Sequence, residues 1–215
     1  MHKVDFHTHS QASPDGALTA KQYRHMLEAG KLDCIAVTDH NRVDFALRLH
    51  AELGDKIIVG EEITTTAGEI IGLFLKEAVP AGLSAADAAA KVHEQGGLVY
   101  IPHPFETVRK GLSPENLETI AGSVDIIEVF NGRTLQDRGA DAAEWATGHQ
   151  VPGVASSDAH GRSGWGNTYT MLTELPTRAT LVRLLNGATL NQQGVGMRGR
   201  LYPKLNRLRK AGRRG

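Results

Sequence analysis

The sequence predicts a single α/β domain whose strands close, or nearly close, into a barrel. Short apolar, β-branched runs alternate with helical patterns as far as about residue 190, the order expected of parallel strands joined by right-handed crossovers. At least seven such runs are present, which suits a closed α/β sheet better than an open one. His7, His9, His40, Glu62, His103 and Asp158 each follow an apolar run by only a few residues. Polar residues at the C-terminal ends of barrel strands converge on one mouth, where barrel active sites are built.

The elements follow in order. Val4-Asp5-Phe6 is a first strand, and Thr19 to Ala29 a helix with Gly30 as its C-terminal stop. Cys34 to Thr38 is a second strand, followed by a helix over Val43 to Leu53. Ile57-Ile58-Val59 and, after Thr64-Thr65-Thr66, Ile70 to Leu75 are strands. The alanine-rich helix Ala85 to Gln95 ends at Gly96-Gly97, before the strand Leu98 to Ile101. Asp125 to Phe130 and Val151 to Ala155 are strands separated by a helix from Asp137 to Gly148, and Tyr169 to Leu172 with a helix at Thr177 to Leu185 closes the pattern. No internal repeat or linker divides residues 1–190, and residues 191–215 form a basic C-terminal tail.

Composition narrows the class. With 215 residues and 40% of them apolar, the chain is long enough for a sizeable core. Its longest apolar runs are a few residues, against the ~20 that a membrane-spanning helix requires. Asp5 interrupts the place where a signal peptide needs its apolar stretch, so a soluble, cytoplasmic protein is expected. One cysteine, Cys34, excludes an internal disulfide and a cysteine-based zinc site, and 5% aromatics argue against a base-stacking platform. The net charge of zero hides an asymmetry: all 24 acids lie at or before Glu174, and ten Lys and Arg follow it.

His7-Thr8-His9 places two imidazoles at i and i+2, which point the same way on an extended backbone. Thr38-Asp39-His40, Gly60-Glu61-Glu62, Pro102-His103-Pro104 and Ser157-Asp158-Ala159-His160 repeat the theme at later strand ends. Each segment alone is equally well read as a cap, a satisfied histidine or a solvated acid. Together they make a cluster of neutral imidazoles and carboxylates suited to Zn²⁺, Mn²⁺ or Fe²⁺.

Asp5-Phe6-His7-Thr8-His9-Ser10, Thr38-Asp39-His40, Gly60-Glu61-Glu62-Ile63-Thr64, Pro102-His103-Pro104 and Ser157-Asp158-Ala159-His160 resemble, in order, the motifs of the PHP (polymerase and histidinol phosphatase) family. The resemblance runs from residue 4 to about 190. It implies a distorted (β/α)7 barrel that binds two or three divalent ions and hydrolyses phosphate esters through a metal-bridging hydroxide. By position it assigns His7, His9, Glu62 and Asp158 to a first ion, with Glu62 bridging to a second that His103 also holds. Asp15, His40 and His160 fall to a third. Glu69 stands where many relatives carry a ligating histidine, at the start of Glu69-Ile70-Ile71-Gly72-Leu73-Phe74. A carboxylate there adds negative charge and favours Mn²⁺.

Around the ligands, Arg133 and Arg109 are the candidate phosphate forks, with Lys110 beside Arg109. Asp39 is a candidate acceptor orienting His40 or another ligand. A protonated His160 or His40 is the candidate donor to a leaving group, a role that metal ligation of the same residue forbids. Asn131, at the same barrel mouth, is a candidate to hydrogen-bond substrate or a ligand, and Glu128 a candidate strand residue paired internally. In the tail, Leu201, Leu205 and Leu208 recur at helical intervals, so a helix docking that face on the acidic body is one reading. Contact with nucleic acid or anionic lipid is another. The leading expectation is a metal-dependent phosphoesterase acting on a small phosphorylated metabolite or nucleotide. A nuclease trimming short RNA, a histidinol-phosphate phosphatase and a non-catalytic nucleic-acid-binding module are the alternatives.

Overall fold

The computed structural model describes residues 1–212. Nine strands form one sheet in the order β7-β6-β5-β4-β3-β2-β1-β8-β9: β1 His2–Asp5, β2 Cys34–His40, β3 Ile57–Thr64, β4 Glu69–Leu73, β5 Leu98–Ile101, β6 Ile126–Asn131, β7 Gly153–Ser156, β8 Thr168–Leu172 and β9 Thr189–Gln192. The sheet curls until β7 meets β8. There Thr170 Oγ1 accepts from the Ala155 N–H and donates to the Ala155 carbonyl, both at 3.0 Å. A side chain thus closes the seam, and the barrel is nearly complete.

Not every strand is parallel. β4 runs antiparallel to both β3 and β5, because residues 65–68 make too short a link for a crossover. β8 is antiparallel to β1 and, as a hairpin, to β9. The helices α1 Ala20–Glu28, α2 Asp44–Leu53, α3 Ala85–Glu94, α4 Pro114–Thr119, α5 Gly139–His149, α6 Leu181–Leu185 and α7 Gly196–Ala211 complete the chain. Thr19 and Gln22 form a reciprocal capping box at α1, and Gly30 takes the left-handed conformation, φ 61°, beyond its end. α6 is shorter than the periodicity predicts, since residues 177–180 form a turn in which Thr180 Oγ1 accepts the Thr177 N–H.

Strand alternation sorts the apolar residues into two layers. Ile35, Val37, Ile57, Val59, Val99, Ile101 and Ile127 pack with Tyr23, Phe45, Leu49, Ala88 and Leu117 of the helices. Their neighbours Cys34, Ala36, Ile58, Ile71, Leu73, Tyr100, Ile126 and Val154 fill the barrel, plugged by Leu181, Leu184 and Leu185 of α6. The same alternation carried to the strand ends aims Glu62 into the barrel mouth. Its neighbour Glu61 faces the other way, where one oxygen accepts the Val79 N–H at 2.7 Å.

The basic segment after Gln192 does not hang free. α7 lies against the barrel mouth with Gly199, Pro203 and Asn206 buried. A Cβ on Gly161 would stand 2.7 Å from the Tyr202 ring, so glycine permits the close approach. Leu201, Leu205 and Leu208 are exposed, so the docked face is not the leucine face that the spacing suggests. Small and polar residues reach the loops beneath more closely than leucines can. Arg213 and Arg214, the last charges of the expected tail, lie outside the described residues.

Candidate metal centre

Two loops bring the first ligands together. The His9 N–H donates to the Ala159 carbonyl at 2.9 Å. Asp5, at the end of β1, accepts from the Ser157 N–H at 3.0 Å and from Ser157 Oγ at 2.5 Å. Buried Asp5 is pushed up to about 7, desolvation outweighing those bonds. It ties the segment carrying His7 and His9 to the segment carrying Asp158 and His160. Two of the candidate ligands, His103 and Asp158, have φ of 31° and 52°, a conformation that costs a non-glycine residue about 1–3 kcal/mol and clusters at functional sites.

The ligand atoms meet in four overlapping groups: His7, His9 and Glu62; His7, His103 and Asp158; His40, Glu62 and Glu69; and His9, Asp15, His40 and His160. His7 Nε2 and His9 Nε2 face one another at 3.1 Å. Glu62 is central, with His9 Nε2 at 3.1 Å, His103 Nε2 at 3.0 Å and His40 Nδ1 at 3.3 Å. Asp158 Oδ1 lies 3.4 Å from His9 Nε2 and 3.3 Å from His160 Nδ1. Asp15 reaches His40 Nε2 and His160 Nε2, each at 3.5 Å. Glu69 Oε1 is 3.8 Å from His40 Nδ1. The structure therefore gathers all nine residues that the resemblance assigns as ligands, Glu69 included.

The electrostatics are those of a site built around cations. Burial opposes charge on His7 and His9, yet Asp158 and Glu62 outweigh it, holding His7 well above its ordinary value and His9 at about 9. Glu62 is held well below the carboxylate range, because His40 and His7 overcome the cost of burial. Glu69 is pushed up, by burial and then by Glu62. His160 is pushed down to about 3 by burial and by the positive charges of His9 and Arg133. His160 is thus a neutral imidazole rather than an imidazolium at neutral pH. His9 Nδ1, His103 Nδ1 and Asp158 Oδ1 are buried without hydrogen-bond partners, which is costly unless another group satisfies them. An all-nitrogen and oxygen set with orphaned atoms fits divalent ions such as Zn²⁺, Mn²⁺ or Fe²⁺.

Behind the ligands stands a residue pair that the sequence left undecided. Glu128 faces His7 Nδ1 at 3.4 Å and accepts from the His103 N–H at 2.6 Å, from Tyr100 Oη at 2.6 Å and from Asn131 Nδ2 at 2.8 Å. It fixes both the His7 ring and the loop of His103. Asn131 Oδ1 accepts from Arg109 at 2.8 Å. The available signal was an acid inside an apolar run, Ile126-Ile127-Glu128. Asp39 has another task than the one expected: its oxygens accept from the Ser10 N–H and Ser10 Oγ, both at 2.6 Å. On β2 it points away from His40, and it anchors the loop after His9 instead.

Seven of the nine candidate ligands, all but His7 and His9, floor a cavity of about 730 Å³ whose walls include Lys110, Arg109, Arg133, Arg200, Lys204 and Arg207. Arg109 and Arg133 both pair with Asp158 Oδ2, at 2.5 and 2.9 Å. Arg133 Nε is buried with no partner. Arg207 pairs with Asp15 Oδ2 at 2.6 Å.

A family model described as PHP-associated matches residues 140–189. The chain is 36% identical over 142 residues to the uncharacterized protein MJ1587 of Methanocaldococcus jannaschii, covering 60% of this chain and 81% of that one. It is 36% identical over 181 residues to MJ0417 of the same organism, covering 80% and 71%. Among solved structures, a two-domain protein from Bacteroides vulgatus, described as containing a predicted PHP-like metal-dependent phosphoesterase, superposes with a TM-score of 0.69 at 23% identity. That match covers 89% of this chain and 65% of the two-domain chain, just under two thirds of its length.

Proposed function

Since the chain belongs to the PHP family, we propose that it is a metal-dependent phosphoesterase that hydrolyses a small phosphorylated metabolite or nucleotide. One observation carries the reading: nine imidazole and carboxylate groups form overlapping ligand sets, and seven of them floor a cavity whose walls hold guanidinium groups. The fold similarity to the Bacteroides vulgatus protein described as containing a predicted PHP-like metal-dependent phosphoesterase supports it.

His7, His9, Glu62, His103 and Asp158 would hold one pair of ions, with Asp15, His40, Glu69 and His160 available to a further one. Divalent ions in such a set supply Lewis-acid neutralisation of phosphoryl oxygens and a water acidic enough to react at neutral pH. The protein's own groups do the rest. Arg109 and Arg133 stand over Asp158, where a guanidinium fork can bind phosphate oxygens and balance the four carboxylates. Arg133 Nε is already buried and free to donate. The burial of His7, His9, Glu62 and Asp158 excludes bulk water and strengthens each of these interactions.

The test is hydrolysis of a panel of phosphomonoesters, cyclic phosphates and short oligonucleotides by protein loaded with Mn²⁺, Zn²⁺ or Fe²⁺. Hydrolysis that chelator abolishes and metal restores is expected, along with its loss in His103→Ala and Asp158→Ala variants that remain folded. An inert metal-loaded protein across the panel would overturn the reading.

A further inference from the structure

α7 turns two unlike faces in opposite directions. At about 100° per residue, Gly199, Pro203 and Asn206 fall together on the side buried against the barrel mouth. Met197, Leu201, Leu205 and Leu208 fall within an arc of about 80° on the far side, and all four are exposed. Val108 and Leu135 add exposed apolar surface near Leu208, at the rim of the cavity. Among the described residues, six of the eight exposed large apolar side chains thus belong to α7 or to the rim beside it, a concentration that marks an interaction surface.

Cations border the stripe on both sides. Arg198 and Arg209 flank one edge, Arg200 and Lys204 the other, and all four are exposed. Among the described residues none of the four forms a hydrogen bond or ion pair. Arg207 and Lys210, nearer the docked face, are held by Asp15 and by the Gln11 and Ser13 carbonyls. α7 contains six Lys and Arg and no acid.

Each candidate occupant of such a face makes a different demand. A second copy seated stripe to stripe brings two sets of unpaired cations together, with no acid on either helix to offset them. A nucleic acid meets the cations but gains little from leucines between them, and the stripe carries no aromatic ring on which a base could stack. A bilayer with anionic headgroups satisfies both features: the apolar side chains enter the acyl boundary while the long basic side chains reach headgroups on either side. We infer that α7 is an interfacial helix that docks the protein on an anionic membrane surface, through Met197, Leu201, Leu205 and Leu208 with Arg198, Arg200, Lys204 and Arg209 around them. The helix lies along the surface, and no helix among the described residues is long and apolar enough to cross it. Docking of this kind needs neither a bound ion nor a phosphoryl substrate, so it stands apart from the phosphoesterase reading.

The experiment is cosedimentation of the full chain with vesicles of phosphatidylcholine alone and of equal parts phosphatidylcholine and phosphatidylglycerol. The wild type is expected to pellet with the anionic vesicles, to stay in solution with the neutral ones, and to be released as salt screens the charges. Arg198→Ala/Arg209→Ala should bind more weakly by about fivefold for each cation removed, and Leu201→Gln/Leu205→Gln by about tenfold or more. These four side chains are exposed and none lines the cavity, so melting temperature and metal affinity should match the wild type. No pelleting with anionic vesicles at low salt, equal pelleting with both vesicle types, or undiminished binding by either double variant would overturn the inference. A thymidylate oligonucleotide bound in place of vesicles would assign the face to nucleic acid instead. A dimer in sedimentation velocity that Leu201→Gln/Leu205→Gln dissociates would assign it to a second copy.

Discussion

At the scale of single residues, the candidate site depends on side chains that stand behind the ligand set. Glu128 holds the His7 ring and the His103 backbone at once. Glu128→Gln keeps the volume but loses the charge facing His7 Nδ1, and such outer partners typically matter by about 10–100-fold in metal affinity. Metal titration should show that loss with little change in the circular dichroism spectrum, and an unaltered affinity would return Glu128 to a purely structural role. His9 yields a pH prediction. Burial lowers its proton affinity, but Asp158 and Glu62 raise it to about 9, from 6.5. A raised histidine stabilises the metal-free protein fully below its unfolded pKa, and that contribution is lost as pH climbs towards 9. Ligation requires the neutral imidazole. Metal binding near pH 7 should therefore release protons, and apparent affinity should rise between pH 6.5 and 9. Calorimetry in buffers of different ionisation enthalpy measures both, and a flat profile without proton release counts against the assignment.

At the scale of elements, α7 is the part whose role the sequence left most open. Its buried Asn206 donates to the Asp15 carbonyl at 2.7 Å and the His160 carbonyl at 3.0 Å, stapling the helix to two ligand-bearing segments. Lys210 reaches the Gln11 and Ser13 carbonyls of the same region. Replacing Asn206 by Ala leaves buried carbonyls without their donor, a loss of about 1–3 kcal/mol. Thermal melting should fall accordingly, and amide exchange in α7 should accelerate before that of the barrel strands. Equal protection in wild type and variant would show that the staple does not hold the helix. The exposed stripe of Met197, Leu201, Leu205 and Leu208 lies opposite the docked face, so its helical spacing was real while its partner was misjudged. Periodicity reveals that a face exists; it does not reveal which face is buried.

For the whole molecule, closure at β7 and β8 decides whether the ligands from both ends of the chain meet. The segment after β1 supplies His7 and His9, the loop after β7 supplies Asp158 and His160, and the seam between β7 and β8 rests on Thr170 and Ala155. Thr170→Val preserves shape but strands the Ala155 N–H and carbonyl, at a cost of about 1–3 kcal/mol. For a domain of this size that corresponds to a fall in Tm of about 2–4 °C per kcal/mol. Differential scanning calorimetry measures it, and added Mn²⁺ should recover part of the loss because an ion bound only by the folded state stabilises it by mass action. An unchanged Tm would show that the seam is held elsewhere.

The alternation of apolar strands and helices, the strand-end positions of His7, His9, His40, Glu62, His103 and Asp158, and the candidate residues that the structure gathers at the barrel mouth were legible in the sequence, because strand period and motif spacing are local properties. Even the choice of Glu62 over Glu61, made there by motif, follows from the two-residue alternation that buries Ile58 in the barrel. Tertiary structure alone decided the rest. The antiparallel course of β8, the pairing of Arg109 and Arg133 with one aspartate, the task of Asp39 and the seating of α7 join residues far apart in sequence. Asn206, for example, meets Asp15 across 191 positions. Such contacts depend on which surfaces the closed barrel leaves within reach, and no periodicity along the chain encodes that.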